Sequence, residues 1–249
     1  MLTYRGPVPR RVLFIRNDPT APEALLGETF TESGFQITTF DVIGSDQEAD
    51  PDVGVSFPDP TGFDAIVPLG SRWGVNDGLR WIAGEMAVVR SALAAGVGVL
   101  GVCFGGQLLA AALGGTVTRS PCPEIGWYEV HSTEPALVPP GRWFQWHFDR
   151  FTPPPGATVL ARNDQATQAF VSGRALGLQF HPEVDPELVR RWVDGEAAAE
   201  MARLGVDPAE LLRRTGAMAD DAARRLRTLV RGFLGLLEDD ASHQADCCR

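Results

Sequence analysis

The stretch from Val97 to Leu113 reads VGVLGVCFGGQLLAAAL. Its first six residues, Val97 to Val102, form a short apolar run rich in valine and opened by Gly96, which predicts a fully buried strand. From Gln107 to Leu113 the chain turns to leucine and alanine, which favour helix. Between the two, Gly101-Val102-Cys103-Phe104-Gly105-Gly106 sets a glycine two residues either side of a cysteine. Strand, sharp turn and helix with a nucleophilic side chain on the turn is the layout of a nucleophile elbow, where small flanking residues let the two backbones pass closely. Cys103 is therefore predicted to stand above a sheet at the positive end of a helix, where a thiolate is favoured.

Upstream, Arg11 to Arg16 (RVLFIR) predicts a strand, and Leu25, Leu26 and Phe30 give helical spacing from Pro22 to Ser33. Gly34 ends that helix before Phe35 to Val42 (FQITTFDV), an alternating, β-branched strand. Residues 44–62, rich in Asp, Pro, Gly and Ser, predict a surface connection to a strand over Ala65 to Leu69, closed by Gly70-Ser71. Ile82, Met86, Val89 and Leu93 then line one face of a helix from Leu79 to Ala95. Three βα units thus precede Cys103.

Downstream the pattern changes. Thr116 to Gln179 contains short extended pieces (TVTRS, GWYEVHS, ATVLARN, TQAFVSG, ALGLQF) separated by Pro and Gly, which predicts a largely antiparallel half. From Pro186 the chain is rich in Ala, Arg and Leu at helical spacing. It is broken at Gly205 and Pro208, with Asp207 as an N-cap, so two C-terminal helices are expected. Residues 1–240 are read as one domain and residues 241–249 as a mobile tail.

Composition narrows the function. A formal charge of −10 and a pI near 4.9 disfavour nucleic acid and anionic membranes as partners. The chain has no lysine, all 22 basic residues being arginine, which removes P-loop and Schiff-base chemistry. With no long apolar window and no apolar signal core in MLTYRGPVPRR, a cytoplasmic protein is expected. Cys103, Cys122, Cys247 and Cys248 are too sparse for a disulfide framework and read as thiols. His131 and His243 lack partners at ligand spacing, so no metal and no other cofactor is expected.

A thiolate needs a proton carrier, and Phe180-His181-Pro182-Glu183 offers an imidazole at a strand end with a carboxylate two residues on to orient it. GVCFGGQ together with GLQFHPEV resembles the class I glutamine amidotransferases, with VPLGS at 67–71, EIGW at 124–127 and QWHFD at 145–149 falling in that family's order. Within it the likeness is greatest to stand-alone proteins related to the amidotransferase domain of GMP synthetase. The resemblance implies a three-layer α/β sandwich with a flavodoxin-like, mainly parallel sheet, an antiparallel extension and C-terminal helices. It implies a triad of Cys103, His181 and Glu183, an oxyanion hole from the N–H groups of Gly70 and Phe104, and substrate contacts from Gln107, His147 and Asp149. Two positions depart from the family pattern: Leu69 stands where a glycine is usual, and Phe148 separates His147 from Asp149. Both are expected to reshape the pocket, and the bland reading of His147 and Asp149 is a satisfied polar pair in a loop.

The expected activity is cleavage of the γ-amide of glutamine, or of a γ-glutamyl compound, through a γ-glutamyl thioester on Cys103, with a separate synthase protein for a partner. The alternatives are a stand-alone γ-glutamyl peptidase or hydrolase and a catalytically silent binding protein. The arginine-rich face of the last helix (Arg224, Arg225, Arg227, Arg231) reads as a solvated surface.

Overall fold

The apolar run Val12–Ile15 lies at the heart of β1 (Arg10–Arg16), in a computed structural model that describes residues 9–195 and 198–246. The first half continues through α1 (Ala24–Glu32), β2 (Phe35–Asp41), β3 (Ala65–Pro68), α2 (Arg80–Ala94), β4 (Gly98–Val102) and α3 (Phe104–Ala112). The second contains β5 (Thr116–Ser132), β6 (Gly141–Thr152), β7 (Thr158–Arg162), β8 (Thr167–Ser172), β9 (Ala175–Leu178), α4 (Pro186–Asp194), α5 (Ala198–Leu204) and α6 (Pro208–Asp246).

One mixed sheet runs in the order β2-β1-β3-β4-β9-β8-β7-β5-β6. Its first five members pair in parallel, and β8, β7, β5 and β6 extend it in antiparallel fashion. The expected flavodoxin-like sandwich with an antiparallel extension is the observed fold. Alternate residues of the parallel strands point to opposite layers. Val12, Phe14, Val67 and Val102 face α1 and α6, while Leu13, Ile15, Ile66 and Val99 face α2 and α3. Phe30 anchors the first layer through edge-on contacts with Phe14, Phe35 and Phe233 at 5.4–6.4 Å, each worth about 0.5–1.5 kcal/mol beyond the area buried.

The sheet order also explains where a site forms. β3, β4 and β9 are neighbours, so the chain leaving each at its carboxyl end, Leu69-Gly70, Cys103 and Gln179–His181, converges on one spot. Ligand crevices in open α/β sheets lie at such strand ends.

Several expectations need correction. TVTRS and GWYEVHS belong to one strand, β5, whose register against β6 shifts between Arg119 and Glu124. Pro121 and Pro123 lie there, and proline cannot donate to the ladder. Residues 141–152 form β6, with His147 and Asp149 on a strand rather than in a loop. Among the described residues three helices follow His181, not two, α4 ending at Asp194 and α5 at Leu204. Asp207 does cap α6, its carboxylate accepting from Ala209 N–H at 3.0 Å. Residues 241–246, expected as tail, continue α6, while Cys247 and Cys248 lie outside the described residues. Arg225 is not solvated: its guanidinium lies 5.2 Å over the Trp143 ring and donates to the Arg142 carbonyl. Among the described residues, no helix is long and apolar enough to cross a membrane.

Candidate active site

Cys103 occupies the turn between β4 and α3 with φ 51° and ψ −107°, a conformation that costs a non-glycine residue about 1–3 kcal/mol. Three glycines make the turn sterically feasible. A Cβ on Gly101 would lie 2.4 Å from Gly105 O, one on Gly105 2.0 Å from Pro68 O, and one on Gly106 2.1 Å from Leu178 O. The cysteine N–H donates to Leu178 O at 2.9 Å, tying the turn to β9. α3 starts at the next residue, so its first N–H groups, Phe104 included, lack intrahelical acceptors. Cys103 is buried, a free thiol with Sγ 3.8 Å from Trp146 O.

His181 follows β9 and is fixed by its own N–H donating to Phe144 O at 2.8 Å. Its ring Nδ1 lies 2.6 Å from Glu183 Oε1. Pro182 between them stiffens the link, and Glu183 O accepts from Leu25 N–H at the start of α1 (3.2 Å). The other ring nitrogen, Nε2, is buried with no hydrogen-bond partner among the described residues. Burial is the largest influence on His181 and by itself lowers its proton affinity. The Cys103 sulfur and the Glu183 carboxylate together outweigh burial and hold the imidazole's pKa well above 6.5. The ring thus holds its proton more tightly than a free imidazole, beside the sulfur, while Trp192 of α4 covers it edge-on at 5.2 Å.

Gly70 borders the same ring: a Cβ there would sit 3.0 Å from His181 Cε1. The Leu69 side chain is almost fully buried in the layer shared with Val67 and Val102. The same buried cluster includes Cys103. Phe148, by contrast, is partly exposed beside the Arg119 guanidinium, 4.8 Å from its ring centre.

Gln107 and His147 are both turned to the main chain of Asp149. Gln107 Nε2 donates to Asp149 O at 3.0 Å, and His147 Nδ1 lies 3.0 Å from the same oxygen. His147 Nε2 is 3.1 Å from Glu124 Oε2, close enough for a charge contact but off line for a hydrogen bond. Glu124 accepts from Asn163 and Gln168, so these side chains brace β5 against β8 and the turn before it. The Asp149 carboxylate points outward to Arg119 at 3.5 Å. Among the described residues no group of three or more His, Cys, Asp or Glu is placed to hold a metal ion.

Sequence reading did not find Asn17, Glu85 or Trp192. Glu85 lies on the buried face of α2 with Trp81, Ile82 and Val89, and an acid in an apolar stripe was a visible signal. Burial, only partly opposed by a hydrogen bond from Asn17, pushes its carboxyl up to about 8 from an ordinary 4.5. The folded protein therefore holds a proton that the unfolded chain releases above about pH 4.5. That contribution is complete below 4.5 and is lost as pH rises through 8, by about 1.4 kcal/mol per unit. Glu85→Gln removes the dependence, so its stability relative to wild type should improve by about 3 kcal/mol between pH 4.5 and pH 7. Urea midpoints at both pH values would test this, and parallel pH curves would contradict it.

The fold and the site together define an α/β protein with a cysteine on a tight strand-to-helix turn and a paired histidine and glutamate at the adjacent strand end. The family model for class I glutamine amidotransferases matches residues 63–191, and the chain belongs to that family. A glutamine-hydrolyzing GMP synthase from Aeropyrum pernix is 38% identical over 137 residues, 50% of this chain and 27% of that protein. One subunit of a glutamine-hydrolyzing GMP synthase from Sulfurisphaera tokodaii is 39% identical over 94 residues, 34% of this chain and 50% of that protein. The aligned part is thus between about a quarter and a half of these curated relatives' length. A glutamine amidotransferase from Thermotoga maritima superposes with a TM-score of 0.79 at 27% identity, covering 93% of this chain and 99% of that one. One from Methylobacillus flagellatus gives 0.78 at 25% identity, covering 93% and 96%.

Proposed function

We propose that this chain hydrolyses the γ-amide of glutamine through a γ-glutamyl thioester on Cys103. The observation that carries the reading is the placement of Cys103 on the elbow beside His181, whose Nδ1 is held by Glu183 at 2.6 Å and whose proton affinity the two partners raise. The Cys103 sulfur attacks the amide carbon, and the carbonyl oxygen takes up negative charge that the Gly70 and Phe104 N–H groups receive. His181 gives its proton to the departing nitrogen, which leaves as ammonia. Water, deprotonated by His181, then cleaves the thioester to glutamate and free thiol. Glu183 keeps the imidazole in one orientation and stabilises its charge throughout.

Membership of the class I glutamine amidotransferase family supports free glutamine as the substrate. A stand-alone hydrolase of γ-glutamyl conjugates is the second reading, supported by the partly exposed Phe148 beside Arg119. That the matched Sulfurisphaera tokodaii protein is one subunit of a synthase supports a separate synthase as recipient of the ammonia here.

The test is release of ammonia or amine from glutamine and from a panel of γ-glutamyl amides and peptides, with mass spectrometry of acid-quenched enzyme for a γ-glutamyl adduct on Cys103. Ammonia from glutamine supports the amidotransferase, and turnover of conjugates alone supports the second reading. An enzyme whose Cys103 reacts with iodoacetamide but which releases nothing from any compound would sink both. Because His181 keeps its proton well above pH 6.5, activity should decline on the alkaline side only far above that value. A pH profile of kcat that falls through 6.5 would contradict this.

A further inference from the structure

The Leu69–Gly70 peptide is held from behind. Leu69 N–H donates to Ile15 O at 3.0 Å, and Leu69 O accepts from Asn17 Nδ2 at 3.2 Å. Among the described residues no peptide is cis, so the N–H of Gly70 points opposite to the Leu69 carbonyl. The carbonyl faces Asn17 at the end of β1, and Gly70 itself borders the His181 ring. No acceptor among the described residues takes the Gly70 N–H. The direction of that donor therefore depends on the opposite end of its own peptide unit.

Asn17 is in turn held by Glu85. Both acceptors near the amide nitrogen of Asn17, Leu69 O and Glu85 Oε1, lie at 3.2 Å, while Asn17 Oδ1 has no partner among the described residues. The amide thus presents both hydrogens to the two oxygens, and rotation would set Oδ1 against a carbonyl. Asn17 and Glu85 are fully buried and touch no open surface. Trp81, one turn before Glu85 on α2, packs on Phe104 at 5.5 Å. The same helix therefore seats both residues proposed to receive the oxyanion, Phe104 through Trp81 and Gly70 through Asn17.

We infer that Asn17, locked by Glu85, is a positioning residue that aims the Gly70 N–H at the developing oxyanion. The inference rests on the hydrolase reading above. With its carboxyl raised to about 8, Glu85 is mostly protonated at pH 7, and a neutral amide at that place accepts the same hydrogen bond.

The experiment compares Asn17→Leu, Glu85→Leu and Glu85→Gln in two reactions: hydrolysis of the best γ-glutamyl amide and alkylation of Cys103 by iodoacetamide. Alkylation displaces iodide and forms no oxyanion, so it reads the sulfur and His181 alone. Losing or misaiming one such donor costs about 100-fold or more in kcat. Asn17→Leu should lower kcat about 100-fold with KM within about threefold and alkylation within about twofold of wild type. Glu85→Leu should lower kcat about tenfold, and Glu85→Gln should restore it to within about twofold. If Asn17→Leu does not fold, the two Glu85 variants read the same coupling. Wild-type kcat in Asn17→Leu, or kcat and alkylation falling together, overturns the inference while leaving the hydrolase reading intact. A wild type that alkylates but hydrolyses no γ-glutamyl amide removes the hydrolase reading and this inference with it.

Discussion

Cys103→Ala is expected to cut turnover of the best γ-glutamyl amide at least 10,000-fold, about 5.5 kcal/mol of transition-state stabilisation. Without the sulfur no thioester forms, and what survives is the modest help that the N–H donors and binding give to direct attack by water. The fold should tolerate the change. Only one buried heavy atom is lost, at a cost of about 1 kcal/mol, and alanine inherits the same backbone conformation at φ 51°. A second readout separates chemistry from collapse. In wild type, burial lowers the proton affinity of His181, and Cys103 and Glu183 raise it past its ordinary value. In the variant Glu183 opposes burial alone, so His181 should titrate at lower pH by NMR. Turnover within tenfold of wild type would mean that another group is the nucleophile, and an unmoved His181 titration would mean that sulfur and imidazole do not interact.

The sequence made the elbow legible because its determinants are local: a valine-rich strand, glycines two residues either side of Cys103, and a leucine- and alanine-rich helix within seventeen positions. His181 and Glu183 were legible for the same reason, being two residues apart. Gly70 entered only through resemblance, since nothing near it in sequence says that β3 lies beside β4. Asn17 and Glu85 were not found at all. Their hydrogen bond spans 68 positions and joins a strand end to a helix face, a relation that no periodicity encodes. β6 was missed although Phe144 to Asp149 (FQWHFD) alternates apolar and polar residues; burial runs against that polarity, Gln145 and His147 being buried while Trp146 and Phe148 are half-buried. β5 was split because two prolines interrupt its pairing while the strand itself continues.

Gly105→Ala should be the most damaging alanine substitution among the described glycines. Its Cβ would stand 2.0 Å from Pro68 O, where ordinary contact begins near 3.4 Å, and the obstacle is backbone rather than a movable side-chain end. Relief requires α3 to move away from β3 or the end of β3 to shift. Either disturbs packing that includes Trp81 on Phe104, so a loss of at least about 4 kcal/mol is expected, seen as a large fall in the urea midpoint. The same clash reaches the chemistry, because Pro68 leads directly into the Leu69–Gly70 peptide. A displacement of about 1 Å there costs on the order of 100-fold in rate even in molecules that fold. Gly216→Ala is the control: it lies in α6 with open space around its Cβ position and should gain about 0.5–1 kcal/mol. If Gly105→Ala kept both the midpoint and the kcat of wild type, the close approach of elbow to β3 would be wrong. The proposed link between the nucleophile's turn and the oxyanion peptide would then fail with it.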